Sequence, residues 1–300
     1  MKLLKITRSF LLFFAFSFFI FGCNENKKFV YSSDPNYITI ATLNCEWLGD
    51  GINDNNPRSA EDYENLAKVI ADTKANLIAL QEVENPKALR KILQYLPDYK
   101  YICGKGESKQ KLAFLYGPDI KIIQFKEYPP LNVEFLTTRP GLLAYCQKGN
   151  LDFWIMDVHL KSTSGYDSTF DLKQRSYQLR TRQAEVLNHW LDSILSYNEK
   201  DIIILGDFND NPKKKSNQTL DALANNPNIE FQTADFKSCK NHFWNSIDHI
   251  IISKNLKKRI LAGSLMMLNT YNFYGKENAE KISDHCPVIM SFEVKSPDDD

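Results

Sequence analysis

Short apolar runs recur along residues 37–294: Tyr37 to Leu43, Leu77 to Leu80, Leu112 to Tyr116, Ile120 to Phe125, Leu142 to Cys146, Phe153 to Val158, Ile202 to Leu205, Ile247 to Ile252 and Val288 to Val294. Their length and their content of Ile, Val and Phe predict strands. Helical periodicity interrupts them three times. Ala60 to Lys74 puts Leu66, Val69, Ile70 and Thr73 on one stripe, Pro86 opens a helix carrying Leu89, Ile92, Leu93 and Leu96, and Gln174 to Leu195 carries Leu179, Ala184, Leu187 and Leu191. Strands outnumber helices, and hairpin-like successions mix with strand-helix-strand units. That order favours two packed sheets with helices outside over a doubly wound parallel sheet. No repeat or internal linker divides the stretch, so it reads as one domain.

The flanks differ from it. Lys2, Lys5 and Arg8 precede an apolar run from Ser9 to Phe21, and Gly22-Cys23 closes the segment. Thirteen residues at helical rise span about 20 Å, short of a hydrocarbon core of about 30 Å, so residues 1–22 read as an export signal rather than an anchor. The ending Ile20-Phe21-Gly22-Cys23 resembles a bacterial lipoprotein signal, which implies cleavage before Cys23 and acylation of its thiol; a plain secretory signal is the alternative. Either places the domain in the cell envelope or outside it. Residues 23–36 are polar and read as a tether, and residues 295–300 as a frayed acidic tail.

Loss of Lys2, Lys5 and Arg8 with the signal leaves 34 Lys+Arg against 37 Asp+Glu. A polyanionic partner would therefore need local basic patches. Cys45, Cys103, Cys146, Cys239 and Cys286 are odd in number and lack CxxC spacing, which argues against a zinc site; packing or one or two disulfides are the open readings.

Several strands end on groups suited to a metal and a phosphate: Asn44-Cys45-Glu46, Gln81-Glu82, His159-Leu160-Lys161, Asp207-Phe208-Asn209, and Asp284-His285 before the last strand. Any one of these residues alone would read as a cap, a turn or a solvated end. Five such ends in one chain suggest a shared polar cleft. His189 and His242 have no such setting and read as surface residues, and His249 follows Asp248 on a strand and should face the other way into packing.

The segments ATLNCEWL, IALQEVEN, DVHLKS, ILGDFND, SIDHIIIS and SDHCPV, in that order, resemble the endonuclease/exonuclease/phosphatase superfamily typified by deoxyribonuclease I, closest in motifs to its bacterial secreted nucleases. The resemblance covers about residues 37–294. It implies an α+β fold, a four-layer sandwich of two mixed sheets flanked by helices, and divalent-metal hydrolysis of phosphoesters. Carried over residue by residue, it makes Glu82 the principal metal ligand with Asn44 and Asp284 nearby. His285 becomes the group that activates water, held by Asp248, and His159 a phosphate contact and general acid. Asp207 and Asn209, two apart, would point to one side of an extended segment and reach the phosphoryl group. The base is left between Asp207 and His285, since interacting groups titrate together. Mg²⁺ suits carboxylate and water oxygens, with Mn²⁺ and Ca²⁺ as alternatives.

For the substrate, TTRPGLLA resembles the nucleases' RP segment, which implies that Arg139 contacts it. Lys161 and Arg175 stand near the motifs and could meet backbone phosphates, as could Lys105, Lys109, Lys111, Arg180 and Lys213 to Lys215. The expectation is a metal-dependent, membrane-anchored nuclease acting on nucleic acid with little base readout. The alternative is a phospholipid or inositol-phosphate phosphoesterase, with Asn272-Phe273-Tyr274-Gly275 as a candidate lipid-inserting tip.

Overall fold

The structure, a computed structural model, describes residues 27–197 and 199–298. The expected signal segment and Cys23 lie outside the described residues. Among the described residues, twelve strands form two six-stranded sheets. They are β1 (Tyr37–Leu48), β2 (Leu77–Val83), β3 (Lys100–Cys103), β4 (Lys111–Tyr116), β5 (Lys121–Tyr128), β6 (Gly141–Lys148), β7 (Leu151–His159), β8 (Ile202–Asp207), β9 (Ile229–Phe231), β10 (Asp248–Ser253), β11 (Met266–Met267) and β12 (Val288–Glu293). One sheet runs β11-β12-β1-β2-β4-β3, the other β5-β6-β7-β8-β10-β9. Both are mixed. Each has one parallel pair at its middle, β1 with β2 and β7 with β8, and antiparallel neighbours on either side.

The parallel pairs are bridged by helices, α1 (Ala60–Asp72) between β1 and β2, and α3 (Phe170–Leu195) between β7 and β8. The other α-helices of the described residues are α2 (Pro86–Leu93), α4 (Asp221–Ala224), α5 (Thr270–Tyr274) and α6 (Lys276–Ile282). Ser59 begins α1 with a capping box, Asn85 caps α2 and the Thr169 hydroxyl accepts from Leu172 N–H to start α3.

Alternate residues of one strand serve different layers, which is why the central strands read as unbroken apolar runs. Ile203 and Leu205 of β8 face the other sheet, among Ile40, Leu77, Phe114, Phe153, Ile250 and Met290. Ile202 and Ile204 face α3, among Leu187, Trp190 and Leu191. On the first sheet Leu43 and Leu80 meet Leu66, Ile70 and Ile92 of α1 and α2. The result is the expected helix, sheet, sheet, helix order.

Both flanks depart from expectation. The described part of the tether, from residue 27, is packed on the domain: Phe29 N–H bonds Tyr95 O, the Tyr31 ring meets Tyr99 edge-on at 5.3 Å, and Asp119 binds Tyr31, Ser33 and Lys148. The tail is held as well, because buried Arg259 bonds Ser296 O, Pro297 O and Asp298. In both, a few polar anchors offset a composition that by itself reads as loose chain.

Candidate active site

The second sheet contributes a row. Pairing puts His159 beside Asp207 across the parallel β7-β8 pair, and Asp248 beside Asp207 across β8-β10. Three side chains therefore line one end of three adjacent strands. Gly206 makes this possible: its φ is +137°, and a Cβ there would lie 2.0 Å from Val158 O. Asp207 is buried, and burial, partly offset by the charge of His285, pushes its carboxyl up to about 7. Its Oδ1 accepts from Asn209 N–H at 2.8 Å and its Oδ2 from Asn44 Nδ2 at 3.1 Å.

His159 is buried too, with Nε2 3.5 Å from Asp207 Oδ2 and 3.8 Å from Glu82 Oε1. Burial, reinforced by Arg139 against Nδ1, holds its pKa well below the usual histidine range. With Nδ1 facing a guanidinium, the network assigns the ring proton to Nε2, toward the carboxylates. A neutral ring so oriented donates a hydrogen bond but holds no acidic proton. The general-acid role expected of His159 finds no support in this arrangement.

The loop between α6 and β12 brings His285 to that row. Ser283 fixes the loop, donating from Oγ to Asn44 O at 2.7 Å and accepting from His285 N–H at 3.0 Å. Cys286 is joined to Cys239 in a disulfide, which settles its reading; Cys45, Cys103 and Cys146 are free. His285 Nδ1 sits 2.9 and 2.8 Å from the two Asp248 oxygens, as expected, and Nε2 faces Asp207 Oδ2 at 3.9 Å and Asp284 Oδ1 at 3.8 Å. Burial lowers the pKa of this ring, but Asp248, Asp207 and Asp284 outweigh it and leave it well above the ordinary value.

The first sheet contributes an irregular rim. Pairing of β1 with β2 shifts between Asn44 and Leu48, and Glu46, Trp47 and Glu82 have φ of 46°, 58° and 60°. Left-handed backbone at three bulky residues is costly and clusters at functional sites. Glu82 accepts from Trp47 N–H at 3.1 Å and from Asn44 Nδ2 at 3.3 Å. Asn44 spends its Oδ1 on Glu46 N–H, so in this arrangement it spaces the Glu82 and Asp207 carboxylates rather than offering an oxygen to an ion. Glu46, which the sequence places at a polar strand end without assigning it an individual role, accepts Asp284 N–H at 3.0 Å; burial and then the charge of Asp284 raise its pKa.

A sequence profile described as the Endonuclease/Exonuclease/phosphatase family matches residues 42–277, most of the domain. The chain belongs to this family. Among solved structures, a family protein from Bacteroides thetaiotaomicron superposes with a TM-score of 0.60 at 15% identity, over 87% of this chain and 96% of that one. A truncated TDP2 from Caenorhabditis elegans gives 0.59 at 14% identity, over 86% and 97%. A mannosyl-6-phosphatase from B. thetaiotaomicron gives 0.59 at 15% identity, over 84% and 98%. No curated protein matches in sequence. Family members hydrolyse phosphoester bonds with a divalent metal, so this chain is a metal-dependent phosphoesterase.

The donors fit such an ion. Asp207, Asp248 and His285 offer ligand atoms within 4.8 Å of one another, and Glu82, Glu46 and Asp284 add oxygen donors at the facing rim. Asp207 is a carboxylate whose proton affinity is raised by burial and, further, by the charge of Asp248, the condition that a hard cation relieves. Both Asp248 oxygens are engaged by His285, which leaves Glu82, Asp207 and Asp284 as the natural oxygen set for this endonuclease/exonuclease/phosphatase family member.

The remaining expected residues divide. Arg139 touches His159 and donates to Gln110 at 3.0 Å, and with Lys161 it lines a 540 Å³ cleft on one side of the row. Arg175, 62% exposed, is instead tied to Glu134 at 2.8 Å outside that lining, and its expected substrate contact is not borne by any geometry here. Arg180 is buried as a strut between Asp210, Thr219 and Lys161 O. Asn209, in left-handed backbone at φ 53°, departs from the extended segment expected of it and donates to Leu160 O. His249 packs, between Thr233 and Asp210 O, as its parity required.

Proposed function

We propose that the protein is a Mg²⁺-dependent nuclease that cleaves phosphodiester bonds of DNA or RNA. The observation that carries this reading is the pair of clefts flanking the His285 centre. One holds Arg139 and Lys161; the other, beside His285, holds Lys240. Cations on both sides suit a phosphate esterified on both sides. A bound Mg²⁺ at Glu82, with Asp207 and Asp284, would supply Lewis-acid polarisation of a phosphoryl oxygen.

The chain's own groups divide the rest of the work. The Asp248 carboxylate keeps the proton of His285 on Nδ1, so that Nε2 is the nitrogen presented to water. Asp207 and Asp284, two of the charges that keep His285 protonated, would be offset by a cation that they hold. The neutral imidazole then takes a proton from that water at Nε2 while its oxygen forms the new P–O bond. The bond to the leaving oxygen breaks, and solvent protonates that oxygen. His159 Nε2–H and the Arg139 guanidinium meet the negative charge spread over the phosphoryl oxygens.

The test is nicking of closed-circular plasmid by residues 24–300 with Mg²⁺, with EDTA and with His285→Ala. Metal-dependent nicking that falls about 10³-fold or more in the variant is the expected result. A folded protein that leaves plasmid, single-stranded DNA and RNA all intact overturns it in favour of the second reading, a lipid or inositol phosphoesterase, for which Phe273, 67% exposed on α5, is the supporting feature. We also propose that Cys23 carries a lipid anchor holding the domain at the cell envelope; a Cys23→Ser protein that still partitions into detergent would end that reading.

A further inference from the structure

The loop from Ser238 to Asn245 ends in two aromatic rings that neither the core nor the chemistry above employs. Phe243 is 79% exposed and Trp244 63% exposed. Adjacent large rings held in water are costly to keep unless something covers them. The loop is also not slack. Ser238 N–H bonds Trp244 O at 3.0 Å, Trp244 N–H bonds Asn241 O at 2.9 Å, and Lys237 bridges to Asn245. Cys239 then ties the loop covalently to Cys286, the residue after His285. Trp244 is thus fixed relative to the catalytic ring.

Between them lies a 310 Å³ cavity. His285 and Asp248 form one wall, the disulfide and Met267 another, and Trp244 with Lys240 the outer edge. His285 and Asp284, both assigned to the reaction centre, are among its lining residues. Lys240 pairs with Asp284 at 3.4 Å, but both are more than a third exposed, so the contact is weak and exchangeable for a phosphate.

We propose that this cavity is a nucleobase subsite, with Trp244 as its stacking face and Lys240 as the contact to the next phosphate along the strand. The inference rests on the nuclease reading. The volume suits one base and its sugar, and a flat indole beside a cation is the combination by which proteins hold unpaired bases irrespective of sequence. A base can enter only when it is not paired, so the preferred substrate is single-stranded nucleic acid. Trp244 acts on specificity and takes no part in bond breaking.

The experiment compares a thymidine oligomer with an abasic oligomer of the same length and backbone, for the wild-type chain, Trp244→Ala and Trp244→Phe. The wild type is expected to cleave the thymidine oligomer with kcat/KM about tenfold higher, within the range that base stacking supplies. Trp244→Ala should lose that preference through KM, leave cleavage of the abasic oligomer within about twofold, and Trp244→Phe should keep most of it. Equal losses on both oligomers, or a wild type indifferent to the base, overturn the subsite while leaving the nuclease reading intact. Failure to cleave either oligomer, with phosphate released from a sugar or lipid ester, overturns both.

Discussion

The two sheets share one plan, a parallel pair joined by a helix with antiparallel neighbours, yet their functional ends are built in opposite ways. The rim on the second sheet is regular: His159, Asp207 and Asp248 occupy paired positions, all three are buried, and a glycine lets two strands close up beside them. The rim on the first sheet is irregular, with a register shift and three left-handed residues presenting Asn44, Glu46 and Glu82, and with half-exposed Asp284 across from them. The difference separates two tasks, with Asp207 standing between them as a neighbour of His285 and a member of the metal's oxygen set. Moving a proton calls for desolvated groups whose affinities are set by fixed neighbours. Holding a hydrated cation calls for oxygen atoms that a bent backbone aims at one point while water keeps access.

Asp207→Asn breaks the regular rim with the largest effect. The substitution keeps shape and removes the charge beside His285, so kcat should fall about 10²-fold or more, within the scale of a lost electrostatic contact. Stability should move the other way. A carboxyl raised from its ordinary value to about 7 binds its proton more tightly when folded, so its contribution is present in acid and is lost as pH rises through about 7. The wild type in EDTA should therefore lose Tm between about pH 4 and 7 relative to Asp207→Asn, which should be the more stable protein at pH 8. A variant less stable than wild type at pH 8 would mean that the hydrogen bonds from Asn44 and Asn209 outweigh the burial of charge.

Glu46→Gln tests the irregular rim and should be milder. Glutamine retains an oxygen to accept Asp284 N–H, so the loop keeps its place, while the negative charge next to Asp284 is gone. Half-activation should need about tenfold more Mg²⁺, with kcat at saturating metal nearly unchanged, as for other partners that stand behind a ligand. An unchanged metal requirement with reduced kcat would instead place Glu46 on the side of the proton chemistry.

The contrast also explains what could be read from sequence. The row on the second sheet was legible because it obeys strand parity and ends apolar runs: Phe153 to His159 and Ile202 to Asp207 point at their last residues. The irregular rim was legible only in part. β1 was expected to stop at Leu43 and continues to Leu48, since a bulge has no periodic signature and so concealed the contact of Glu46 with Asp284. The elements missed, β3, β9, β11, α4, α5 and α6, have at most seven residues and are stabilised by edges and loops rather than by a pattern of their own. The fastened termini were hidden for a related reason. Tertiary partners such as Asp119 and Arg259 lie far off in the chain.

Proximity in sequence misled most over the basic residues, and the smallest predicted effect follows from that. Arg139 and Arg175 both stood beside motifs, but only Arg139 reaches the row, through His159. Arg175 is on the solvent side of α3, and its pair with Glu134 is an exposed contact worth at most about 1 kcal/mol. Arg175→Ala should leave kcat/KM on an oligonucleotide within about twofold at moderate salt, whereas a backbone contact would cost several-fold and flatten the dependence of affinity on salt. A flattened slope in Arg175→Ala would extend the substrate path from the Arg139 cleft across α3 and make the second sheet the anchor of the polyanion as well as of the proton.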